Sequence, residues 1–227
     1  MIRCHPRLEQ LVKFVEGNLS YSESILIAAH CDMCDHCRRV VDSETADQAE
    51  TAFGTDVVQA GPDFDAMFAR ITQLPAAPAF ESGEVLFKPP SKTSLELDGK
   101  SFRLPRTLQN LAGKTGNWTS LVGRLWQAPV DLGCHGVANF IYMAKGGSVP
   151  EHTHRGTEFT LVLDGKFSDG LNDYDTGDFI YLDSEHTHAP KTEFAEGCLV
   201  FSVLDQPLHF TSGLARLLNP FSHLFFR

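Results

Sequence analysis

The sequence predicts an α+β chain in two parts, a small helical bundle followed by a β-barrel. Up to about residue 75 the apolar residues recur at helical spacing. From about residue 93 they fall instead into short, β-prone runs separated by glycine-rich turns. Between the two, residues 76–92 are rich in Pro, Ala and Gly and hold no period, which marks a linker. The expected division is therefore a helical domain over 1–75, a linker over 76–92 and a barrel domain over 93–227.

The first helix is expected over residues 6–16. Pro6 suits a first helical position, Leu8, Leu11, Val12 and Val15 share a face, and Gly17-Asn18 stops the run. Ser20 and Glu23, three apart before Ile25-Leu26-Ile27, form a capping box for a second helix from about Tyr21 to about His30. A third is placed from Cys37 to about Phe53, ended by Gly54. A fourth follows Gly61-Pro62, carries the apolar stripe Phe64, Met67, Phe68, Ile71 and Leu74, and ends at Pro75. In the second part, Val137–Ala144, Phe159–Leu163, Asp178–Leu182 and Cys198–Leu204 read as strands, with turns at Gly146-Gly147, Asp164-Gly165 and Asp175-Thr176-Gly177.

Four of the six cysteines lie in the first 37 residues among histidines. In a reducing compartment that clustering points to metal rather than disulfides. His30, Cys34 and Cys37 form H-x3-C-x2-C, and two thiolates with two imidazoles suit tetrahedral zinc. His5 is the natural fourth donor, with Cys4 an alternative to it and Cys31 or His36 alternatives to the others. On a continuous helix His30, Cys34 and Cys37 would share one face; were the helix broken, the tight Cys-x2-Cys turn would still select Cys34 and Cys37. Such a zinc would staple a helical module too small to rely on its core alone.

A second set of donors lies in the barrel part. Gly146–Gly165 reads G-x5-H-x-H-x3-E-x6-G, which offers His152, His154 and Glu158. Strand alternation sends the two histidines to one face, and a barrel turns that face inward. A further histidine from Glu185-His186-Thr187-His188 would complete the set; alternation cannot separate His186 from His188, and motif spacing selects His188. Imidazoles with a carboxylate suit zinc, manganese, iron or nickel.

The net charge of -10 argues against a nucleic-acid or acidic-membrane surface and fits a basic protein partner. No apolar run has the length of a membrane span, and the N-terminal stretch lacks a signal-peptide core, so the chain is expected to be cytoplasmic.

Gly146–Gly165 matches the first cupin motif at each fixed position, whereas the second motif, from Gly177 to His188, is looser: Asp183 and Glu185 replace its usual Pro and Gly. An H-x3-C-x2-C helical module followed by a cupin resembles the ChrR-type zinc-binding anti-sigma factors along nearly the whole chain. The likeness takes in Arg155-Gly156 after the paired histidines, Thr160–Leu163, His188-x-Pro190 and Pro207-Leu-x-Phe210. The resemblance implies a cupin β-barrel (double-stranded β-helix). It assigns His5, His30, Cys34 and Cys37 to zinc, and His152, His154, Glu158 and His188 to a second divalent metal. It implies that the helical module holds an extracytoplasmic-function sigma factor inactive, and that the cupin is needed for the response to singlet oxygen and related oxidants. The chain is then not an enzyme, and Phe64, Met67, Phe68 and Ile71 are the expected partner contacts. Packing of that stripe within the chain is the competing expectation. The competing function is a metal-dependent cupin dioxygenase or isomerase with Lys145, Arg155, Tyr142 and Tyr181 as substrate-orienting groups; a cupin that senses a small molecule is compatible with the regulatory reading.

Overall fold

The computed structural model describes residues 1–54, 63–74, 92–121, 124–133, 137–211, 213, 216, 217 and 219. Cys134, Gly61-Pro62 and all of the expected linker but Lys92 lie outside the described residues.

Among its described residues the first part holds four helices: α1 (Leu8–Val15), α2 (Tyr21–Met33), α3 (Asp35–Phe53) and α4 (Phe64–Gln73). α1 starts later than Pro6 predicts, because the Gln10 side chain accepts the Arg7 amide at 2.9 Å and fixes Arg7 as the N-cap. The Ser20 hydroxyl accepts the Glu23 amide at 3.2 Å, as a cap should, but the Glu23 carboxylate accepts from the Gln10 side chain at 3.0 Å instead of closing the box. α2 runs past His30 to Met33, and α3 starts at Asp35 rather than Cys37. The break between them falls on Cys34, whose φ of -120° and ψ of 103° are extended. His30, Cys34 and Cys37 therefore do not share the face of a continuous helix; the broken alternative holds. α4 is capped by Asp63, whose carboxylate accepts the Ala66 amide at 2.9 Å.

The second part is almost wholly antiparallel β. Its strands are β1 (Ser94–Leu97), β2 (Lys100–Arg103), β3 (Thr119–Leu121), β4 (Leu125–Val130), β5 (Val137–Met143), β6 (Gly147–Ser148) and β7 (His152–Thr153), continuing with β8 (Glu158–Ser168), β9 (Asp173–Asp175), β10 (Phe179–Leu182), β11 (Thr187–His188), β12 (Lys191–Thr192), β13 (Cys198–Leu204) and β14 (His209–Phe210). A short helix, α5 (Arg106–Gln109), lies between β2 and β3. The main sheet runs β3-β4-β5-β13-β8-β12-β6, with β9 and β10 also paired to β8, and β11-β7-β14 form a small sheet. β8 is more than twice the run expected, because its outer half, Asp164–Ser168, pairs with β9 and β12 beyond the apolar stretch. Gly165 makes this possible: its φ is +82°, and a side chain there would meet the Gly197 carbonyl at 2.1 Å.

One apolar core passes from the helices into the barrel. It joins Leu11, Leu26 and Ile27 to Leu108, Phe140, Leu161 and Phe201. The chain start lies along the barrel as well: the Phe179 amide donates to the Cys4 carbonyl at 2.9 Å, and the Thr107 amide to the Asp32 carboxylate at 2.6 Å.

Two candidate metal centres

The turn at Cys34 lets α2 and α3 each bring a donor to one point. His30 comes from the last turn of α2, Cys34 from the break and Cys37 from the first turn of α3. His5 approaches from the extended chain start. Its Nδ1 lies 3.5 Å from Cys34 Sγ and 3.4 Å from Cys37 Sγ, and His30 Nε2 lies 3.3 Å from Cys37 Sγ. All four donor atoms fall within 4.8 Å of one another. A tetrahedral ion with ordinary zinc–sulfur and zinc–nitrogen bonds would separate sulfur from nitrogen by about 3.5 Å.

Protonation supports the fit. Burial holds the His30 imidazole down at about 4, so its ring is neutral and offers a lone pair near neutral pH. Its Nδ1 hydrogen is placed on the Gly177 carbonyl at 2.9 Å, which leaves Nε2 for an ion. Burial, reinforced by Cys34, pushes the Cys37 thiol up to about 12, so only a cation at this point would hold it as thiolate. Cys4, Cys31 and His36 stand outside the donor group. Cys31 packs in the helical core, where burial raises its thiol to about 11. Cys4 lines a surface groove with Tyr174 and Phe179.

The second group forms inside the barrel. His152 is paired with His188 across β7 and β11, and Glu158 with Leu182 across β8 and β10. His154, just past β7, completes the set. His188 Nε2 lies 2.9 Å from His152 Nε2 and 3.1 Å from His154 Nε2. Burial lowers all three imidazoles, His152 to about 4, so three neutral nitrogens crowd one point. His152 Nδ1 is tied to the Pro150 carbonyl at 2.8 Å, which turns its Nε2 inward. Glu158 Oε1 accepts the hydroxyls of Thr160 and Ser202 at 2.8 and 2.9 Å. Its Oε2 is buried without a hydrogen bond and faces His154 Nε2 at 3.0 Å. Converging neutral nitrogens beside an orphaned carboxylate oxygen are what a divalent cation would satisfy. His186, by contrast, is exposed and paired with Asp183 at 2.8 Å.

A cavity of about 80 Å³ adjoins this group, walled by apolar side chains such as Ile141, Val149, Ile180 and Val200. Lys145, Arg155, Tyr142 and Tyr181 are absent from its lining. Tyr142 instead donates to the Glu196 carbonyl at 2.8 Å, and Tyr181 lies under the Arg7 guanidinium, 5.1 Å from its ring centre. Thr160, Ser202 and Gly177 escaped the sequence reading as site residues; Thr160 and Gly177 entered it only as parts of a family-like strand and of a turn.

Of the expected partner contacts, Phe64, Met67, Phe68 and Ile71 all lie on α4, with Leu74 just beyond it, and no α4 side chain is buried. The described residues leave the stripe uncovered rather than packed.

Residues 105–207 match the ChrR cupin-like domain family. The anti-sigma-E factor ChrR of Cereibacter sphaeroides is 29% identical over 233 residues, covering 97% of this chain and 98% of that protein. The crystal structure of Rhodobacter sphaeroides SigE in complex with the anti-sigma ChrR contains a chain of the same fold, at a TM-score of 0.63 and 24% identity, covering 90% of this chain and all of that one. Residues 105–207 of the barrel part thus resemble the ChrR cupin-like domain, and the chain as a whole resembles ChrR through both its helical and its barrel parts.

Proposed function

We propose that this chain is an anti-sigma factor. Residues 1–75 sequester an extracytoplasmic-function sigma factor, and the cupin, residues 93–227, is needed for release in response to singlet oxygen or other oxidants. The likeness to ChrR over nearly the whole length of both proteins supports the partner class. The observation that carries the reading is the bare face of α4: Phe64 is 70% exposed, Phe68 69% and Ile71 62%. A helix with three such side chains on one stripe is built to lie in a partner's groove. The chain's net charge of -10 suits a basic, DNA-binding partner.

Zinc at His5, His30, Cys34 and Cys37 holds the helices that present this face, and a second divalent ion at His152, His154, Glu158 and His188 serves the response. The thiolates of the helical centre and the imidazoles of both centres are targets of oxidants. No described helix is long and apolar enough to cross a membrane, which agrees with work in the cytoplasm beside RNA polymerase. The test is co-expression with candidate extracytoplasmic-function sigma factors. A stoichiometric complex with one of them, lost on changing α4, supports the reading; a chain that binds none of them in any metal state refutes it.

A second reading draws on the apolar cavity beside the barrel donors. It would admit a small molecule, either as a signal or as the substrate of a dioxygenase or isomerase. The lack of a charged orienting side chain among the cavity residues other than the metal donors favours the signal.

A further inference from the structure

We propose that the barrel's β9–β10 turn is a working part of the helical metal centre, with Gly177 and Asp178 positioning the donors His30 and His5. The inference rests on the reading of His5, His30, Cys34 and Cys37 as zinc donors, and adds that the cupin sets how tightly they hold the ion.

The turn reaches two of the four donors. Gly177 accepts the Nδ1 hydrogen of His30 on its carbonyl at 2.9 Å, across 147 residues of sequence. That bond fixes the ring's tautomer and its tilt, and Phe179 adds an edge contact at 6.0 Å between ring centres. Asp178, fully buried, holds the chain start. Its Oδ1 accepts the amides of Arg3 and Cys4 at 2.6 and 2.9 Å, immediately before His5. The Phe179 amide returns a bond to the Cys4 carbonyl at 2.9 Å, and the Arg3 guanidinium reaches the Asp173 carbonyl at 2.5 Å. The chain start thus lies on the barrel edge like an added strand, and His5 follows Cys4 directly, two residues before the Arg7 N-cap of α1.

The turn is equally well fastened to the barrel. Gly177 donates to the Val162 carbonyl at 2.8 Å, and the Val162 amide donates to the Asp178 carbonyl at 3.0 Å. Val162 is on β8, the strand that begins with Glu158, and β10 carries Ile180 and Leu182 into the cavity wall. Only glycine serves at 177. Its φ is +93°, and a Cβ would come within 2.5 Å of the Ile2 side chain. A rearrangement at the barrel donors that moves β8 or β10 therefore moves two donors of the other centre. No free linker motion is required.

The test uses the full chain. Competition with a chromophoric chelator at fixed pH measures zinc affinity, and Cys34→Ala first identifies the helical site; if that variant keeps all its zinc, the donor assignment itself fails. Asp178→Ala, which frees the segment that carries His5, is then expected to weaken zinc by about tenfold, the low end of the cost of losing a direct partner of a ligand. It should also speed alkylation of Cys34 and Cys37, while the barrel keeps its metal; the melting temperature is expected to fall, because Asp178 Oδ2 also accepts the Asp175 amide at 2.8 Å within the turn. Asp178→Asn, which keeps an oxygen for the two amides, should recover most of the affinity. Should Asp178→Ala fail to fold, Arg3→Pro deletes one of the amides from outside the barrel and is expected to lower the affinity in the same direction. Zinc affinity within twofold of the parent, in a folded Asp178→Ala or Arg3→Pro chain, would overturn the proposal and leave the turn a packing contact.

Discussion

The Ser202 hydroxyl donates to Glu158 Oε1 at 2.9 Å, although 44 residues separate them in sequence. β13 and β8 are paired so that Ser202 lies opposite Thr160, and the two hydroxyls hold one carboxylate oxygen while the other is left for an ion. Ser202→Ala is therefore expected to lower barrel metal affinity by about tenfold, and the double change with Thr160→Ala by more, without loss of the fold. Metal titration of the purified variants measures this; unchanged affinity in the double variant would show that Glu158 needs no support.

At the helical centre, Cys37→Ala should abolish zinc binding and loosen α1 to α3, because Cys37 is a buried donor in the first turn of α3. Cys31→Ala, one turn away in α2 but outside the donor group, should keep one zinc in that centre and lose only about 1 kcal/mol to the space left behind. Metal analysis beside thermal melting separates the two. Zinc loss from Cys31→Ala would bring that thiol back into the ligand set.

Changing Phe64 or Phe68 to Ala should weaken sigma-factor binding by about 10- to 100-fold each, as loss of a buried aromatic anchor does. Because both side chains are exposed in the free chain, the melting temperature should not move. Titration calorimetry with the partner, set against the melting curves, checks this. A variant that binds normally would place the contact elsewhere, with the polar α3 the next face to examine.

Removing the barrel metal with His152→Ala and His154→Ala should leave partner binding in place, since none of the α4 stripe belongs to the barrel, and should blunt release by singlet oxygen. Pull-down before and after illumination with a photosensitiser measures both. A folded double variant that no longer binds its partner contradicts this division of labour.

Acid should destabilise the metal-free chain through its buried imidazoles. Burial, with His188 beside it, lowers His152 from 6.5 to about 4. Between those values the unfolded chain binds the proton and the folded chain does not, so the contribution is full above 6.5 and is lost as the pH falls through 4. For this one imidazole the loss is on the order of 3 kcal/mol, most of it by about pH 4.5. Urea denaturation with chelator at pH 7 and at pH 4.5 shows it, and His152→Gln should give a shallower fall over the same window.

The sequence by itself determined the local features. Helical spacing marks α1 and α4, the Ser20 cap starts α2, and β-prone composition gives β13 its bounds. These depend on neighbours within a few residues, where periodicity and capping act. Motif spacing likewise brought forward seven of the donors that the fold gathers into two groups, and His5 was added only by its place before the first helix. Other choices were long-range. Cys34 breaks the helix so that both thiols and His30 can converge, and spacing alone allowed either a broken or a continuous helix. His186 and His188 share one alternation; pairing of His188 with His152 buries the one, while Asp183 keeps the other at the surface. α4 reads the same whether buried or bare, because amphipathicity states that a face exists and not what covers it. The bond from His30 to Gly177 had no local signal at all: a backbone carbonyl carries no side-chain identity, and only the packing of the helices on the barrel edge brings it within reach.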